Sequence, residues 1–526
     1  MQLPEPSQED IDEVSFVQKK IPAIIREELE FDLTEMAHLV DERRAMLTES
    51  QKDVFETTMK ALEEDEPLLM FIDARGGTGK TFVLNAILAA VRCLESNKHG
   101  SVALATGTTG IASNLLLLGR TFHSRLKAPL SPHEDSVCNI DAQSTLAELV
   151  RLARIIIVDE APMLHRYLIE ALDRTLKDLM NNDQPFGGKS VVLAGDFRQC
   201  LPIVPHAGRG TIVDASFKRS KFWKHFKKLE LMENMRVMKT GDANLSEFDE
   251  WTLSVGNGTA ETLRDTDLIE IPEALCMEIR PNSKEDPKSE EKSMKELADH
   301  VFPNLKVNHL KPGWMDGRAI LAPTNLKVDA LNNMITDTFP GEPVVLTSSD
   351  EVVNQDDVRK YNIEYLNTLS PTGLPNHRLF LKRGMPLMLM RNLNPKMGLC
   401  NGTRLIFDKI HNNHLLECSI VGGQYNCRKV LIPRITLRPK EKEFPFEWSR
   451  RQFPIRVCFA MTINKSQGQT LQRVGVWLSE PCFGHGQLYV ALSRVGSPTN
   501  IRFAIKKTDE HPFNYTSNVV FKEVFQ

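Results

Sequence analysis

Short apolar runs that end in glycine, hydroxyl or acidic residues recur along the first half of the chain. Residues 68–72, 101–105, 154–158 and 191–194 each have the length and composition of a buried strand. Helical spacing of apolar residues follows the first run at positions 82–92, and residues 167–180 place four leucines along one helical face. Strands that alternate with helices predict an α/β fold with a parallel sheet.

A second series of the same kind begins near residue 319 and predicts a second α/β domain. Residues 384–454 instead contain short alternating apolar runs broken by Gly, Asn and Pro, a pattern typical of a small β-barrel. A chain of 526 residues is too long for one hydrophobic core. We expect an N-terminal helical extension over residues 1–46, a first domain over 47–240, and a second domain over 241–526 with the barrel inserted in it.

The first apolar run leads into a glycine-rich loop that precedes a helix. The loop residues are Ala74, Arg75, Gly76, Gly77, Thr78, Gly79, Lys80 and Thr81. Backbone N–H groups of such a loop surround phosphate oxygens, while Lys80 supplies a positive charge and the Thr81 hydroxyl can hold Mg²⁺. Ala74 replaces the first glycine of the usual pattern, which works if its φ angle is negative and no close backbone approach is needed there. The loop predicts a nucleotide site; an ordinary glycine turn is the alternative.

Acidic and amide side chains follow two later strands. Asp159 and Glu160 come directly after the run at 154–158, at the sheet edge where open α/β sheets bind ligands. Asp159 can hold the Mg²⁺ of a nucleotide triphosphate, and Glu160 can orient or deprotonate the attacking water. Gln199 follows the run at 191–194 and would meet a terminal phosphate or that water, whereas Asp196 is expected to organise the loop.

Other polar residues have two interpretations from local sequence. Gln51 completes a capping box with Thr48, or pairs with adenine through its amide. The loop at 106–112 binds a polyanion or forms a tight turn, and Phe122 stacks on a base or fills the core. Arg236 approaches phosphate or makes a surface ion pair. Arg494 is the candidate for an arginine finger that reaches the γ-phosphate.

Charge and cysteine usage narrow the class of protein. The net charge of −4 gives no overall nucleic-acid signal, so local basic patches at 218–221 and 227–228 are the candidates, with a solvated surface as the alternative. Nine cysteines without a C-x-x-C pair argue against a zinc module and a disulfide scaffold, and favour a reducing compartment. We see no apolar secretory signal, and no apolar run approaches the roughly 18 residues of a membrane span.

The motifs together resemble a known family. In order, LTESQ, GGTGKT, TGTTGIAS with TFHS, VDEAPM, LAGDFRQCLP, NMR, APTN, MTINKSQGQTL and LYVALSR are similar to those of the PIF-type DNA helicases of helicase superfamily 1. Residues 366–405, with LNTLSPTGLPNH, GMPLMLMRNL and GLCNGTRL, resemble the helicase domain of Helitron transposons and related eukaryotic genes. The resemblance covers residues 47–496. It implies two RecA-like P-loop NTPase domains that bind ATP between them, with a small wedge insertion at about 127–143 and a β-barrel insertion in the second.

The resemblance also implies a role for each matching residue. ATP would be bound by Gln51, Gly76, Gly77, Thr78, Gly79, Lys80, Thr81, Gln467 and Gly468. Mg²⁺ would be held by Thr81 and Asp159, with Glu160 as the water residue. The γ-phosphate would be sensed or stabilised by Gln199, Arg236 and Arg494. Single-stranded DNA would be lined by Thr106, Thr108, Phe122, His123, Thr462, Lys465 and Ser466.

The implied activity is that of an ATP-dependent 5′→3′ DNA helicase. It would act on single-stranded DNA and on forked or tailed duplexes, as a monomer in the nucleus or mitochondrion, in DNA repair, recombination, telomere maintenance or transposition. Helitron proteins carry a nuclease domain ahead of the helicase, so a nuclease on a separate or truncated chain is a further expected partner. No membrane partner is expected. The alternatives are a catalytically weakened, transposon-derived nucleic-acid-binding protein and an RNA-directed helicase.

Overall fold

The computed structural model describes residues 21–94, 101–235, 238, 243–263, 266–284, 286–371, 373–439, 443–508 and 512–526. The chain folds as two compact units. The first contains the described residues up to Thr108 together with Leu116–Asp196 and Pro202–Asn234. The second contains Thr109–Leu115, Phe197–Leu201 and the residues from Met235 onwards. Two short segments from the first half of the chain therefore belong to the second unit, which the expected boundary at residue 240 did not foresee.

The helices, in chain order, are α1 (Ala23–Leu29), α2 (Leu33–Ala45), α3 (Glu49–Glu63), α4 (Lys80–Cys93), α5 (Gly110–Leu115), α6 (Phe122–Leu126), α7 (Thr145–Leu152), α8 (Arg166–Met180), α9 (Arg209–Ala215), α10 (Ala243–Asn257), α11 (Ser289–Val301), α12 (Leu305–Asn308), α13 (Asn325–Thr338), α14 (Gln355–Val358), α15 (Ile363–Thr368) and α16 (Gln487–Leu492). The leucines of α8 are buried, which confirms the predicted core-facing helix. Helix α4 is apolar on nearly every side, and its residues 83–92 are all buried.

The strands of the first unit are β1 (Leu69–Ala74), β2 (Val102–Gly107), β3 (Arg120–Thr121), β4 (Ala153–Asp159), β5 (Ser190–Gly195) and β6 (Lys227–Leu231). They form one sheet in the order β3-β2-β4-β5-β1-β6, and every pair is parallel. The strands predicted from apolar runs are therefore confirmed. Because the strands are parallel, the polar residues that end β1, β4 and β5 lie at one edge of the sheet.

The second unit contains the strands β7 (Leu268–Glu270), β8 (Cys276–Ile279), β9 (Arg318–Ala322), β10 (Val344–Thr347), β11 (Ser349–Val352), β12 (Arg378–Leu381), β13 (Pro386–Leu389), β14 (Arg404–His411), β15 (Leu415–Val421), β16 (Lys429–Pro433), β17 (Ile435–Leu437), β18 (Trp448–Gln452), β19 (Ile455–Val457), β20 (Ala460–Thr462), β21 (Arg473–Leu478), β22 (Ile501–Lys506) and β23 (Tyr515–Ser517). A parallel sheet runs in the order β20-β9-β21-β22-β8.

An antiparallel sheet in the order β16-β15-β14-β13-β19 lies in sequence between β9 and β20. It interrupts the second α/β domain, at the place where an insertion was predicted. Smaller sheets pair β11-β18-β17, β10-β12 and β23-β7. Closure of the insertion into a barrel stays a prediction.

The N-terminal helices contribute buried charge to the first unit. Glu28 of α1 pairs with Arg125 at 2.6 Å and with Arg92 at 3.8 Å, and all three side chains are almost fully buried. Burial lowers the pKa of Arg92 to about 10, although Glu28 acts in the opposite direction. Removing the Glu28 carboxylate would leave the Arg92 and Arg125 guanidinium groups buried without its negative charge, which is destabilising. Because α1 supplies this carboxylate, the helix is part of the domain core.

The nine cysteines are all free. Across the described ranges, no helix has both the length and the apolar character needed to cross a membrane.

Candidate active site

The phosphate loop has the predicted strand–loop–helix setting. Strand β1 ends at Ala74, and α4 begins at Lys80 directly after Gly79. Gly77 and Gly79 have φ angles of 91° and 77°, which residues with a side chain rarely adopt. Ala74 is paired with Leu231 inside the sheet and lies outside the left-handed region. An alanine therefore meets the predicted condition on the φ angle at this position.

The segment Met232–Asn234 lies against the phosphate loop. The Arg75 guanidinium donates to the Met232 carbonyl at 2.8 Å. A Cβ atom at Gly77 would lie 2.8 Å from the Asn234 Oδ1, so only glycine allows this approach. The contacts bring the chain leading to Arg236 to the loop, but Arg236 itself lies outside the described residues.

Lys80 joins the two acidic residues that end β4. Its Nζ donates to Asp159 Oδ1 and, at 2.7 Å, to Glu160 Oε1. Burial disfavours the ammonium, but the two carboxylates outweigh burial and raise the pKa of Lys80. Burial raises the pKa of Asp159, which Lys80 lowers and Glu160 raises further. One cation therefore holds two carboxylates that are almost completely buried.

The backbone after β4 is held in an unusual conformation. Glu160 has φ 56° and ψ 35°, a left-handed conformation that costs a non-glycine residue free energy and often marks functional sites. Thr108 fixes this turn: its N–H donates to the Asp159 carbonyl at 3.1 Å and its hydroxyl to the Glu160 carbonyl at 2.8 Å. The end of β5 also packs closely, because a Cβ atom at Gly195 would collide with Pro162.

Gln51 forms the capping box that the sequence allowed. Its Oε1 accepts from the Thr48 N–H at 3.2 Å, and its Nε2 donates to the Thr78 carbonyl in the phosphate loop at 2.8 Å. The capping interpretation is confirmed, while the adenine contact stays a prediction. Gln51 is buried and connects the start of α3 directly to the loop.

Glu233 is a residue of this site that the sequence analysis did not single out. Its carboxylate accepts from the hydroxyls of Thr48, at 3.2 Å, and Ser50. The hydrogen bond from the Ser50 hydroxyl is the main reason that the pKa of Glu233 is lowered. Glu233 thus ties the chain before Arg236 to the start of α3. Its only sequence signal was its position directly before the NMR motif.

In the second unit, Gln199 and Gln467 lie together. The Gln199 Oε1 is 3.4 Å from the Gln467 amide. That amide satisfies its hydrogen bonds with its nitrogen toward the Asn464 carbonyl and its oxygen toward the Cys200 N–H, each at 3.3 Å. Gly468 follows with φ 76°. The structure therefore brings the LAGDFRQ and KSQGQ motifs into contact.

Arg494 is buried and donates to at least four protein groups. Its guanidinium bonds the carbonyls of Val490 at 2.8 Å, Ser466 at 3.1 Å and Gln469 at 3.0 Å, and the Ser493 hydroxyl at 2.7 Å. These bonds fix Arg494 behind the KSQGQ motif. An arginine finger at this position would have to exchange at least one of them for phosphate.

His485 explains why residues 197–201 belong to the second unit. Its Nε2 donates to the Phe197 carbonyl at 2.8 Å, and its Nδ1 accepts the Phe521 N–H at 2.9 Å. Arg198 donates to Asn257 at 2.8 Å. A Cβ atom at Gly486 would collide with the Arg198 carbonyl. His485 and Gly486 therefore anchor the backbone that carries Gln199.

Asn114 anchors the other transferred segment. Its amide donates to the Gly398 carbonyl at 2.9 Å and to the Thr403 hydroxyl at 3.1 Å, while its oxygen accepts from Cys400 Sγ at 3.4 Å. Helix α5 also approaches the same loop so closely that a Cβ atom at Gly110 would collide with Asn401. Local sequence patterns contained no signal for Asn114 or His485, because their partners are far away along the chain.

Three of the residues expected to line single-stranded DNA are core residues. Thr106 is the last but one residue of β2, and its hydroxyl donates to the Ile157 carbonyl at 2.8 Å. Phe122 is fully buried, and the Ser466 hydroxyl donates to the Ile463 carbonyl at 2.7 Å. The structure contradicts direct strand contact by these side chains, because β2 is longer than predicted and both hydroxyls are already bonded. Phe122 fills the core, as its alternative interpretation had it.

The remaining strand candidates reach the surface to some degree. Thr108, His123 and Thr462 are half-buried, and Lys465 is exposed. Burial lowers the pKa of His123, so its imidazole is neutral near pH 7. Residues 127–143, the expected wedge, are held at the base by an Asn139 N–H to Lys127 carbonyl bond of 3.0 Å, and Leu130 is exposed.

A glycine loop between a parallel strand and a helix, with a lysine that meets two acids from a nearby strand, defines a P-loop NTPase. A model described as PIF1-like helicase matches residues 46–266, and one described as DNA helicase Pif1, 2B domain, matches residues 364–409. The chain belongs to the PIF1-like helicase family.

Curated relatives are similar over most of the chain. The ATP-dependent DNA helicase RRM3 of Saccharomyces cerevisiae is 24% identical over 91% of this chain and 67% of its own length. The ATP-dependent DNA helicase PIF1 of Homo sapiens is 24% identical over 87% of this chain and 61% of its own length. The chain spans between 44% and 67% of the length of RRM3 and three further relatives.

Solved structures show the same fold. Pif1 helicase from Candida albicans has 21% identity and a TM-score of 0.59 over 91% of this chain and 98% of its own. Bacteroides Pif1 bound to ssDNA has 20% identity and a TM-score of 0.60 over 90% of this chain and 99% of its own. The prediction of two RecA-like domains is confirmed, as is the PIF-type family. The closer likeness to Helitron helicases stays a prediction.

Proposed function

We propose that this chain is an ATP-dependent DNA helicase that moves 5′→3′ on single-stranded DNA and separates duplex ahead of it. The observation that carries the proposal is the intact Lys80–Asp159–Glu160 arrangement beside the phosphate loop, in a chain of the PIF1-like helicase family. A degenerate nucleotide site would be expected to have lost one of these groups. Ala74, the one departure from the loop pattern, is accommodated inside β1.

The residues present fit Mg²⁺ shared with a nucleotide. Mg²⁺ prefers oxygen ligands and is usually held by one or two carboxylates together with phosphates. Thr81 and Asp159 would supply such oxygens, and the described residues contain no cluster of three or more His, Cys, Asp or Glu that could hold a metal without a nucleotide. When bound, the ion would neutralise charge on the phosphates. Lys80 would transfer its hydrogen bonds from the carboxylates to phosphate oxygens.

Glu160 would then be free to orient the attacking water and accept its proton. Gln199 would help to position that water, and Gln467 lies beside Gln199. Arg494 and Arg236 would stabilise the transferring phosphoryl group; an arginine finger typically contributes about a thousandfold or more in rate. Thr108, His123, Thr462 and Lys465 would grip the strand without reading its sequence.

Asn114 gives a test of how hydrolysis is coupled to movement. The chain passes from the first unit to the second between Thr108, bonded to the Asp159–Glu160 turn, and Thr109. Five residues after Thr109, Asn114 is bonded to the loop at 398–403. We expect Asn114→Ala to keep DNA-stimulated ATP hydrolysis within about twofold but to lower the base pairs separated per ATP several-fold, since about 1 kcal/mol of coupling is lost.

The measurement is the ratio of unwinding to hydrolysis on one tailed duplex. Asn333→Ala, at an exposed position of α13, is the matched control and should leave the ratio unchanged. An equal loss of both activities in Asn114→Ala would show that the contact serves stability or catalysis rather than coupling.

The proposed function is tested by ATP hydrolysis with and without single-stranded DNA, followed by duplexes with 5′ or 3′ tails. We expect strong stimulation and separation of the 5′-tailed duplex only. Tight strand binding without hydrolysis would point to the weakened binding protein, and stronger stimulation by a matched RNA strand would point to the RNA-directed helicase. Separation of the 3′-tailed duplex would contradict the polarity.

Several finer assignments belong to the same proposal. By family, the chain would act on nuclear DNA, with the mitochondrion as a second compartment, in repair, recombination, telomere maintenance or transposition. It would work as a monomer on single-stranded and forked DNA. A transposon nuclease on another chain is the proposed partner if the likeness to Helitron helicases holds.

A further inference from the structure

The most basic stretch of the first unit lies just before β6 and at its start. Residues 215–229 contain six Lys and Arg, one His and no Asp or Glu, in a chain whose net charge is −4. We call the side chains of Lys218, Arg219, Lys221, Lys224, Lys227 and Lys228 the basic face. None of them belongs to the nucleotide site or to the strand-binding residues proposed above.

The charged side chains of the basic face point to solvent because the phenylalanine residues between them are buried. Phe217, Phe222 and Phe226 alternate with the cations and are buried. Phe217 packs edge-on against Phe226 with centroids 5.3 Å apart, and Trp223 packs against Phe71 of β1 at 5.1 Å. With the aromatic rings inside, Arg219, Lys221, Lys224, Lys227 and Lys228 are exposed. A solvated tail would not need this apolar framework, which presents the charges on a rigid surface.

Four of the lysines have no acidic partner within the part of the chain that the structure describes. Among the described residues, no carboxylate lies within ion-pair distance of Lys221, Lys224, Lys227 or Lys228. Other exposed lysines of this chain do have one: Lys60, Lys288, Lys292 and Lys360 pair with Glu64, Glu291, Asp286 and Asp357. Like charges that are held together without counter-charges repel each other, and a bound polyanion relieves that repulsion.

The basic face lies at the opposite end of the first sheet from the nucleotide site. Residues 217–226 lead into the N-terminal end of β6, which is an edge strand. Lys80 and Glu160 follow the C-terminal ends of β1 and β4, and all these strands are parallel. His123 likewise follows the C-terminal end of β3. A polyanion on the basic face would therefore be separate from a strand held by the residues at the C-terminal edge.

The chemistry favours a phosphate backbone over exposed bases. Lys228 and Lys218 lie over the Trp223 ring, with Nζ 4.8 Å and 5.7 Å from its centroid, and Lys221 lies 5.3 Å from the Phe222 centroid. The phenylalanine rings are thus buried and Trp223 is covered by cations, so that among the described rings of residues 215–229 only His225 is exposed. A single imidazole does not provide a platform for successive stacked bases. Duplex DNA presents the densest phosphate charge without requiring stacking.

We propose that the basic face binds the phosphate backbone of duplex DNA. The contact goes beyond helicase activity, since it requires neither ATP nor the motor's strand. It would hold the duplex part of a forked substrate against the first unit while the motor residues hold the single strand.

The test uses the full chain with Lys221, Lys224, Lys227 and Lys228 all changed to Ala. We expect binding to a blunt duplex of about 20 base pairs to weaken about tenfold or more. The slope of log K against log[salt] should become less steep by about three to four, since each lost phosphate contact changes it by about 0.9. Single-strand-stimulated ATP hydrolysis with a short oligonucleotide should stay at the wild-type level, which also shows that the variant is folded.

The matched control changes Lys60, Lys288, Lys292 and Lys360 to Ala, which removes the same charge from lysines that have acidic partners. It should keep the wild-type salt slope. An unchanged slope in the basic-face variant would overturn the proposal, as would an equal loss of binding to single strands. Loss of binding to phosphatidylserine vesicles with unchanged duplex binding would assign the face to a membrane surface and overturn it too. Because duplex binding is measured without ATP, this test can be interpreted even if the chain proves not to be a helicase.

Discussion

Lys80→Met should lose about a hundredfold to a thousandfold of its DNA-stimulated ATP hydrolysis and should also unfold more easily without nucleotide. The rate falls because a donor to the phosphates is lost. The stability falls because Asp159 and Glu160 are buried and Lys80 is the cation bonded to both. Removing one partner of a buried ion pair typically costs about 3–5 kcal/mol. Denaturant unfolding followed by fluorescence would measure the free energy.

The stability loss should depend on pH in a defined direction. Burial already raises the pKa of Asp159 and Glu160 raises it further, while Lys80 opposes them. Without Lys80 the folded pKa rises more, so protonation stabilises the folded state below the unfolded pKa of about 3.9. That stabilisation disappears as pH rises through the raised folded pKa. The difference in the free energy of unfolding between variant and wild type should therefore shrink as the pH falls from about 7 towards the unfolded pKa of about 3.9.

Lys52→Met is the matched control for this prediction. Lys52 is on the exposed side of α3, 3.0 Å from Glu49, where a surface ion pair contributes little. We expect its stability and hydrolysis rate to match the wild type. Wild-type stability of Lys80→Met at pH 7 would contradict the buried-charge argument, and undiminished hydrolysis would contradict the nucleotide site itself.

Glu160→Gln should abolish most hydrolysis by a different route. The amide keeps the shape and can still accept from Lys80, but it cannot take a proton from water. A general base typically contributes about a hundredfold to ten-thousandfold, so the DNA-stimulated rate should fall by that factor while nucleotide binding persists. Stability should hold or rise slightly, because Glu160 raises the pKa of Asp159 and its charge is removed.

Opposite stability effects of the two variants would separate the roles of cation and base. Glu148→Gln, at an exposed position in the first turn of α7, should change neither property. If Glu160→Gln hydrolysed ATP at the wild-type rate, the water-activating group would have to be another residue.

Most of the nucleotide site could be predicted from the residues that follow the strands of the first unit. A glycine loop after β1 and acids after β4 must meet, because parallel strands bring their C-terminal ends to one edge. That rule depends only on local patterns and on the order of elements. It therefore places Lys80, Asp159 and Glu160 together from the sequence alone.

The strand-lining residues show where local patterns failed. Thr106 and Ser466 were expected at the surface because hydroxyl residues favour loops and phosphate contacts. Each hydroxyl instead donates to a backbone carbonyl in the core. Sequence spacing cannot distinguish a hydroxyl that faces solvent from one that meets a carbonyl, because the second outcome depends on the neighbouring backbone.

The sequence by itself determined the two α/β series, the insertion between β9 and β20, and the residue types of the nucleotide site, because each is encoded within one strand–loop–helix stretch. Only the tertiary structure decided that Glu233 binds Ser50, that His485 holds the Phe197 backbone, and that Asn114 binds the loop at 398–403. These partners lie between 183 and 288 residues apart along the chain. Such hydrogen bonds form only when packing brings both groups within about 3 Å, and no local pattern contains that information.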